Sequence, residues 1–375
     1  MKKIALIGCT GSIGKQVLSV VNKNPDKFSI VSLSAGSNLE LLKQNIKDFK
    51  PMIATIETAC SLTSFEGVPV LSGEGAYLDA IVKEADIVVI SVVGFAGLKA
   101  VLKAIELKKD VALANKESLV VGGDFVMPLA KANGVNIYPI DSEHSAIWQA
   151  LSFDREKPFK KLILTASGGA FRDYDKEMLA TATAKSALNH PNWQMGAKIT
   201  IDCATLVNKA FEVIEAKHLF ATDFDKITAV LHRQSIIHSM VEFDDNSVIA
   251  QMSYPTMEIP IALALDKNTR LQSNVSSLDF TKLATLTFEE IDYERFPCFN
   301  LVVSAGKAGR EYPAVANGAN EVAVSAFLEG KIGYLDIYKI IDGALSAYNT
   351  AKAFDLDAVY NADKWAREYA LKKIN

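Results

Sequence analysis

Lys3-Ile4-Ala5-Leu6-Ile7-Gly8-Cys9-Thr10-Gly11-Ser12-Ile13-Gly14 is the stretch whose reading decides the fold. Ile4 to Ile7 make a short unbroken apolar run, the pattern of a strand buried on both faces in a parallel sheet. Glycines follow at 8, 11 and 14, and an amphipathic helix is expected from Lys15 to about Val21. Such a strand–turn–helix lets backbone approach a pyrophosphate, while the helix N-terminus supplies free N–H groups and a favourable dipole. A tight turn without a ligand needs the same glycines, but the strand before and the helix after point to a dinucleotide. Thr10, Gly11, Ser12 and Ile13 are the candidate cofactor contacts.

The next strand, Phe28 to Leu33, ends at Ser34-Ala35-Gly36-Ser37-Asn38. A site for NAD normally holds Asp or Glu there, to accept hydrogen bonds from the ribose 2′-hydroxyl. No acid occurs before Glu40. Gly36, Ser37 and Asn38 tolerate a 2′-phosphate, which favours NADP, although no arginine or lysine stands there to pair it. Strands at Ile53–Thr55, Val68–Leu71, Ile87–Ser91 and Val111–Ala114 continue the alternation of a Rossmann-like unit. The last runs into Asn115-Lys116-Glu117-Ser118, and a helix is expected over Val126–Asn133. Lys116 there could stabilise negative charge on a substrate oxygen or simply pair with Glu117; both readings stay open.

Asp141-Ser142-Glu143-His144 follows a short apolar run. On an extended backbone Asp141 and Glu143 would point the same way, and two like charges held close are costly unless a cation lies between them. A solvated loop is the plain alternative. Farther on, Lys161–Thr165 reads as a strand entering Ala166-Ser167-Gly168-Gly169-Ala170, whose N–H groups and hydroxyl suit a phosphate. The loop Asn189-His190-Pro191-Asn192-Trp193-Gln194-Met195-Gly196 reads as a lid or as a permanently packed loop.

Ile199–Thr205 reads as extended, and a helix is expected from about Leu206 to Leu219. Asn208, Glu212 and Glu215 share one stripe of that helix, with Lys209 beside it. Polar helix faces are usually wet. Here the spacing suits a small phosphorylated sugar, with its phosphate at Asn208-Lys209 and metal-bound oxygens at Glu212. His238, in a strand-like stretch paired with Ser247–Met252, reads as a core histidine.

With 375 residues the chain is expected to hold two or three domains. We expect an α/β chain: an NADPH-binding Rossmann-like domain over 1–141, a central α/β catalytic domain with its lid loop over 142–265, a connecting segment over 266–293, and a C-terminal α-helical bundle over 294–375. A net charge of −4 gives nucleic acid no electrostatic attraction. Cys9, Cys60, Cys203 and Cys298 show no paired spacing, so neither zinc nor a disulfide framework is indicated. The apolar run at the N-terminus is too short for a signal peptide, and no stretch has transmembrane length. A cytoplasmic protein acting on a small molecule, with no membrane or nucleic-acid partner, is expected.

Taken together, Gly8–Gly14, Ala114–Ser118, Asp141–His144, Ser167-Gly168-Gly169, Asn189-His190-Pro191 with Trp193 and Met195, Asn208-Lys209 with Glu212, and Gln234–Met240 form a specific set. With it the chain resembles the 1-deoxy-D-xylulose 5-phosphate reductoisomerases over essentially its whole length. The resemblance implies NADPH, with Asn115, Glu117 and Gly196 joining the cofactor contacts, and Mg²⁺, Mn²⁺ or Co²⁺ held by Asp141, Glu143 and Glu212. It implies substrate contacts from Lys116, Ser142, Glu143, Ser167, His190, Cys203, Asn208, Lys209 and Glu212, with Lys116, Glu143 and His190 catalytic. It also implies a homodimer.

Three residues depart from the family pattern. Cys203 stands where a serine is usual, and a thiol is a weaker donor to a phosphate. Ser37 stands where many members carry a basic residue, and Arg233 replaces a frequent proline. Two rival readings remain at this point. In one, Cys203 is the nucleophile of a semialdehyde-type dehydrogenase, its thiol activated between a strand and a helix. In the other, the chain is an NADP sensor without turnover.

Overall fold

The computed structural model describes every residue except 189–191, 194, 268, 274 and 375. The described chain forms two compact units. Met1–Ser118, Asp124–Ser145 and Thr256–Val275 make the first; Leu119–Gly123, Ala146–Pro255 and Ser276–Asn375 make the second.

The first unit is built on eight strands: β1 (Lys2–Ile7), β2 (Phe28–Ala35), β3 (Ile53–Ile56), β4 (Ser64–Phe65), β5 (Val68–Ser72), β6 (Ile87–Ile90), β7 (Asp110–Leu113) and β8 (Ile137–Pro139). Their order is β4-β5-β3-β2-β1-β6-β7-β8, parallel throughout except for β4 against β5. The winding reverses between β1 and β6, which opens a crevice at their carboxyl ends. Ile4 to Ile7 are fully buried, as an apolar run in a central parallel strand requires.

The helix after the glycine turn runs Ser12–Lys23, starting earlier than expected and taking in Gly14. A Cβ on Gly14 would stand 2.2 Å from the Gly8 carbonyl oxygen, so only glycine lets this helix pack against the turn. Helix Glu258–Leu265 also belongs to this unit, placing Ile261 and Leu265 in the same core as Ile4, Leu6 and Leu33.

Two local expectations are corrected around the carboxylate stretch. The helix expected at Val126 begins at Glu117, with Pro128 inside it. Asp141-Ser142-Glu143-His144 is not extended: Ser142–Ala150 is helical, and the Asp141 carbonyl accepts from the Ser145 N–H at 2.9 Å. An aspartate just ahead of a helix, with a glutamate in its first turn, suits the positive end of the dipole.

The second unit holds β9 (Lys161–Ala166), β10 (Ile227–Leu231), β11 (Ile237–Glu242) and β12 (Val248–Met252), ordered β10-β9-β11-β12. β9 and β10 are parallel, whereas β11 runs antiparallel to both β9 and β12. The stretch read as extended at Ile199–Thr205 lies mostly in helix Ala197–Ala204. Its β-branched residues favour a strand locally, but Ile201 and Ala204 reach the core and the Thr200 hydroxyl bonds the Gly196 carbonyl one turn back at 2.8 Å. Helix Val207–Leu219 follows. Pro297–Ala308, Tyr312–Leu328, Tyr334–Ala347 and Leu356–Ile374 supply the expected C-terminal helices. No helix among the described residues is long and apolar enough to cross a membrane.

Candidate active site

In the first unit the glycine turn leaves Gly11 and Ser12 exposed at the start of helix Ser12–Lys23. No side chain caps that helix, and its first turn holds no acid. Its leading N–H groups therefore face a place suited to an anion. The Ser91 hydroxyl, just after β6, donates to the Ile7 carbonyl at 2.8 Å and fixes the turn from the other side of the crevice.

Asn115 braces this crevice rather than pointing freely into it. Its amide donates to the carbonyls of Val92 (3.0 Å) and Gly94 (2.8 Å) and to Glu117 (3.1 Å), while its oxygen accepts from the Ser118 N–H at 3.0 Å. At the end of β2, Gly36 has open space around its α-carbon. Asn38 caps helix Leu39–Phe49 by accepting from the Leu41 N–H at 3.0 Å.

Lys116 is buried, and its ammonium lies 2.5 Å from Asp141 Oδ2. Asp141 is thus a partner of Lys116 that neither of the two readings had named. The Ser142 hydroxyl donates to Glu143 Oε2 at 2.5 Å. His144, fully buried, sets Nδ1 at 3.8 Å from Asp141 Oδ2. It carried no role in the sequence reading.

In the second unit the stripe on helix Val207–Leu219 is not wet. Asn208, Lys209, Glu212 and Glu215 are all buried, Glu212 and Glu215 each only 1% exposed. Asn208 donates to Glu212 Oε1 at 2.5 Å, and the Lys209 ammonium pairs with Glu212 Oε2. A buried ionised face of this kind is costly unless its charges are paired.

The Ser167 turn lies against helix Ala197–Ala204. A Cβ on Gly169, whose φ is +68°, would stand 2.4 Å from the Cys203 carbonyl oxygen, so the turn and Cys203 are neighbours. The Ser167 hydroxyl accepts from the Gly169 N–H at 3.2 Å. Gly196 starts helix Ala197–Ala204 in open space. His190 lies outside the described residues, as do Asn189, Pro191 and Gln194.

His238 is the residue sequence reasoning undervalued. Its ring meets Trp193 edge-on with centroids 6.0 Å apart, and its Nε2 lies 3.0 Å from the Ser253 hydroxyl. Burial pushes the imidazole down to about 4, and the charge of Lys209 pushes the same way. The β11–β12 register slips between Ile237 and Ser239, which makes His238 the bulged residue. A bulge re-aims a side chain, and nothing in the apolar pattern of a strand announces one.

Three family profiles match the chain. One described as 1-deoxy-D-xylulose 5-phosphate reductoisomerase covers residues 4–123, and two C-terminal domains of the same enzyme cover 137–220 and 252–369. The 1-deoxy-D-xylulose 5-phosphate reductoisomerase of Gloeobacter violaceus is 48% identical over 98% of this chain and 96% of its own length. That of Chlorobaculum tepidum is 48% identical over the whole of both chains. The chain belongs to the 1-deoxy-D-xylulose 5-phosphate reductoisomerase family.

Solved reductoisomerases share the fold. The Zymomonas mobilis enzyme in complex with NADPH has a TM-score of 0.91 at 39% identity, covering all of this chain and 99% of that one. A complex with NADPH, fosmidomycin and magnesium reaches 0.95 at 36% identity, covering all of this chain and 98% of that one. A reductoisomerase is an oxidoreductase, so the non-catalytic sensor reading falls away. The dehydrogenase reading loses its physical basis as well. Cys203 sits in the last turn of helix Ala197–Ala204, not between a strand and a helix, so the placement that reading relied on is not there.

Proposed function

We propose that the chain binds NADPH and a divalent cation, Mg²⁺ or Mn²⁺ with Co²⁺ as a third fit, and converts 1-deoxy-D-xylulose 5-phosphate to 2-C-methyl-D-erythritol 4-phosphate in isoprenoid biosynthesis. The reaction rearranges the carbon skeleton and reduces the resulting aldehyde. The observation that carries this reading is the buried Asn208–Lys209–Glu212 face, a charged surface that folding alone does not call for.

Thr10 to Ile13 and the helix they open receive the pyrophosphate, with Gly36, Ser37 and Asn38 at the ribose 2′-phosphate. Asn115, Glu117 and Gly196 complete the cofactor contacts. Asp141, Glu143 and Glu212 hold the cation: an all-carboxylate set suits hard divalent ions, and ammonium groups already rest on Asp141 and Glu212. When bound, the cation lends Lewis acidity to substrate oxygens and NADPH supplies the hydride.

Ser167, Cys203, Asn208 and Lys209 bind the substrate phosphate, and His190 and Trp193 cover it. Ser142 and Glu143 orient the substrate hydroxyls. Lys116 offers a buried ammonium to an oxygen on which negative charge develops, where low dielectric strengthens the interaction. Covering the substrate excludes water from the hydride step. A homodimeric, cytoplasmic enzyme is part of the same proposal.

The test is loss of NADPH absorbance with 1-deoxy-D-xylulose 5-phosphate, run with Mg²⁺ or Mn²⁺ and again after chelation. Turnover should vanish with chelator and return with metal. Glu212→Gln should lose turnover while retaining NADPH binding. Near-normal turnover in that variant would remove Glu212 from the ligand set.

A further inference from the structure

Arg233 lies outside the groups assigned above, yet it ties together three segments of the second unit. Its guanidinium grips Glu289 with two bonds, Nε to Oε1 at 2.5 Å and Nη2 to Oε2 at 3.1 Å. A third, from Nη1, reaches Asp173 Oδ1 at 2.5 Å. Its carbonyl oxygen accepts from Asn192 Nδ2 at 2.6 Å and from Arg172 Nη1 at 3.1 Å. Asn192 also donates to the Ser235 hydroxyl at 2.8 Å, and Arg172 to the Ser167 carbonyl at 3.3 Å.

Two of the segments reached this way lead to side chains of the substrate reading, and the third anchors to the sheet. Asn192 precedes Trp193, whose ring meets His238. Arg172 holds the backbone of Ser167, at the turn that lies against Cys203. Glu289 pairs its own backbone with Leu231 at the end of β10, in both directions, at 2.9 and 3.0 Å. The guanidinium thus fixes residues 232–235 to two acids on different segments, and the carbonyl of the same residue carries the Asn192 and Arg172 contacts. A proline at 233 would keep that carbonyl but lose all three guanidinium bonds.

We propose that Arg233 is a positioning residue, whose ion triad with Asp173 and Glu289 sets the Asn192–Trp193 segment and the Ser167 turn for the phosphorylated end of the substrate. The inference rests on the phosphate role given above to Ser167. Both acids are held below the usual carboxylate range by the Arg233 guanidinium, so the triad is fully charged at neutral pH. Asp173 and Glu289 are exposed. Exposed pairs are individually weak, and a bidentate network is the case in which they add up.

The experiment measures KM and kcat for Arg233→Met, Glu289→Gln and Asn192→Ala, together with the Arg233→Met/Asn192→Ala double variant, in the metal-loaded full-length enzyme. KM for the substrate should rise roughly fivefold in Arg233→Met and less in Glu289→Gln, with kcat within about twofold of the parent. The double variant should raise KM by much less than the product of the two single effects, because both act on one segment. Independent, multiplying effects on KM would overturn the proposal, and so would a fall in kcat with KM unchanged. Ser167→Ala separates the two levels. If it raises KM while Arg233→Met does not, the positioning role fails alone; if neither moves KM, the phosphate reading fails and takes the proposal with it.

Discussion

His238 shows how one residue joins the sheet to the site. In the folded protein its imidazole titrates near 4, against about 6.5 for a histidine in water. Between those values the unfolded chain binds more protons than the folded one, so stability must fall as pH drops from about 6.5 toward 4. The full difference amounts to about 3 kcal/mol. His238→Gln keeps a hydrogen-bonding group toward Ser253 and removes the titration. Its urea midpoint should therefore fall less than the parent's between pH 7 and pH 4.5. Parallel midpoint curves for the two proteins would show that His238 does not titrate as described. The sequence alone marks this residue as a core histidine, and burial bears that out. What it could not reveal is the bulge that turns the ring toward Trp193, because a bulge is a mismatch between two strands and neither strand shows it alone.

At the scale of one element, helix Val207–Leu219 was legible in its extent and in its polar spacing. Its burial was not, since periodicity reports which residues share a face and not what covers that face. The neighbouring Ile199–Thr205 failed for a different reason. Ile199, Thr200 and Ile201 carry strand propensity, and tertiary packing overrides it. The burial of the polar face leads to a prediction about stability that is separate from catalysis. Lys209→Met takes one ammonium away from the 1% exposed Glu212 carboxylate, which should cost up to about 3–5 kcal/mol in metal-free protein. Adding Glu212→Gln removes that buried charge and should recover most of the loss. Chemical denaturation of the two variants beside the parent decides it. A double variant no more stable than Lys209→Met would mean that the pair contributes by packing and not by charge.

Across the whole molecule, the strands of the first unit and their Rossmann-like character could be read from the glycine turn and the apolar runs. The unit's discontinuity could not. Helix Glu258–Leu265 lies more than a hundred residues beyond β8 in the chain, and Pro260 near its start hides it from a pattern search, although proline fits a first helical turn. Ile261 and Leu265 from this helix are fully buried in the core that holds Ile4, Leu6 and Leu33. Lys23 pairs with Glu258 at 2.9 Å, and Lys2 donates to the Leu265 carbonyl at 2.6 Å. Losing the two large side chains alone would forfeit roughly 2 kcal/mol each, a large share of the stability of a small domain. A fragment of residues 1–145 should accordingly unfold without a cooperative transition and bind NADPH poorly. Joining residues 256–275 to it through a flexible Gly/Ser linker should restore both properties, because linker length adds little closure entropy compared with the core it completes. Thermal unfolding followed by circular dichroism, with and without NADPH, compares the two. Cooperative unfolding and a cofactor-dependent shift in the shorter fragment would show that the nucleotide-binding unit stands without the returning helix. The same properties only in the linked fragment would show that the unit is completed by a segment from far along the chain.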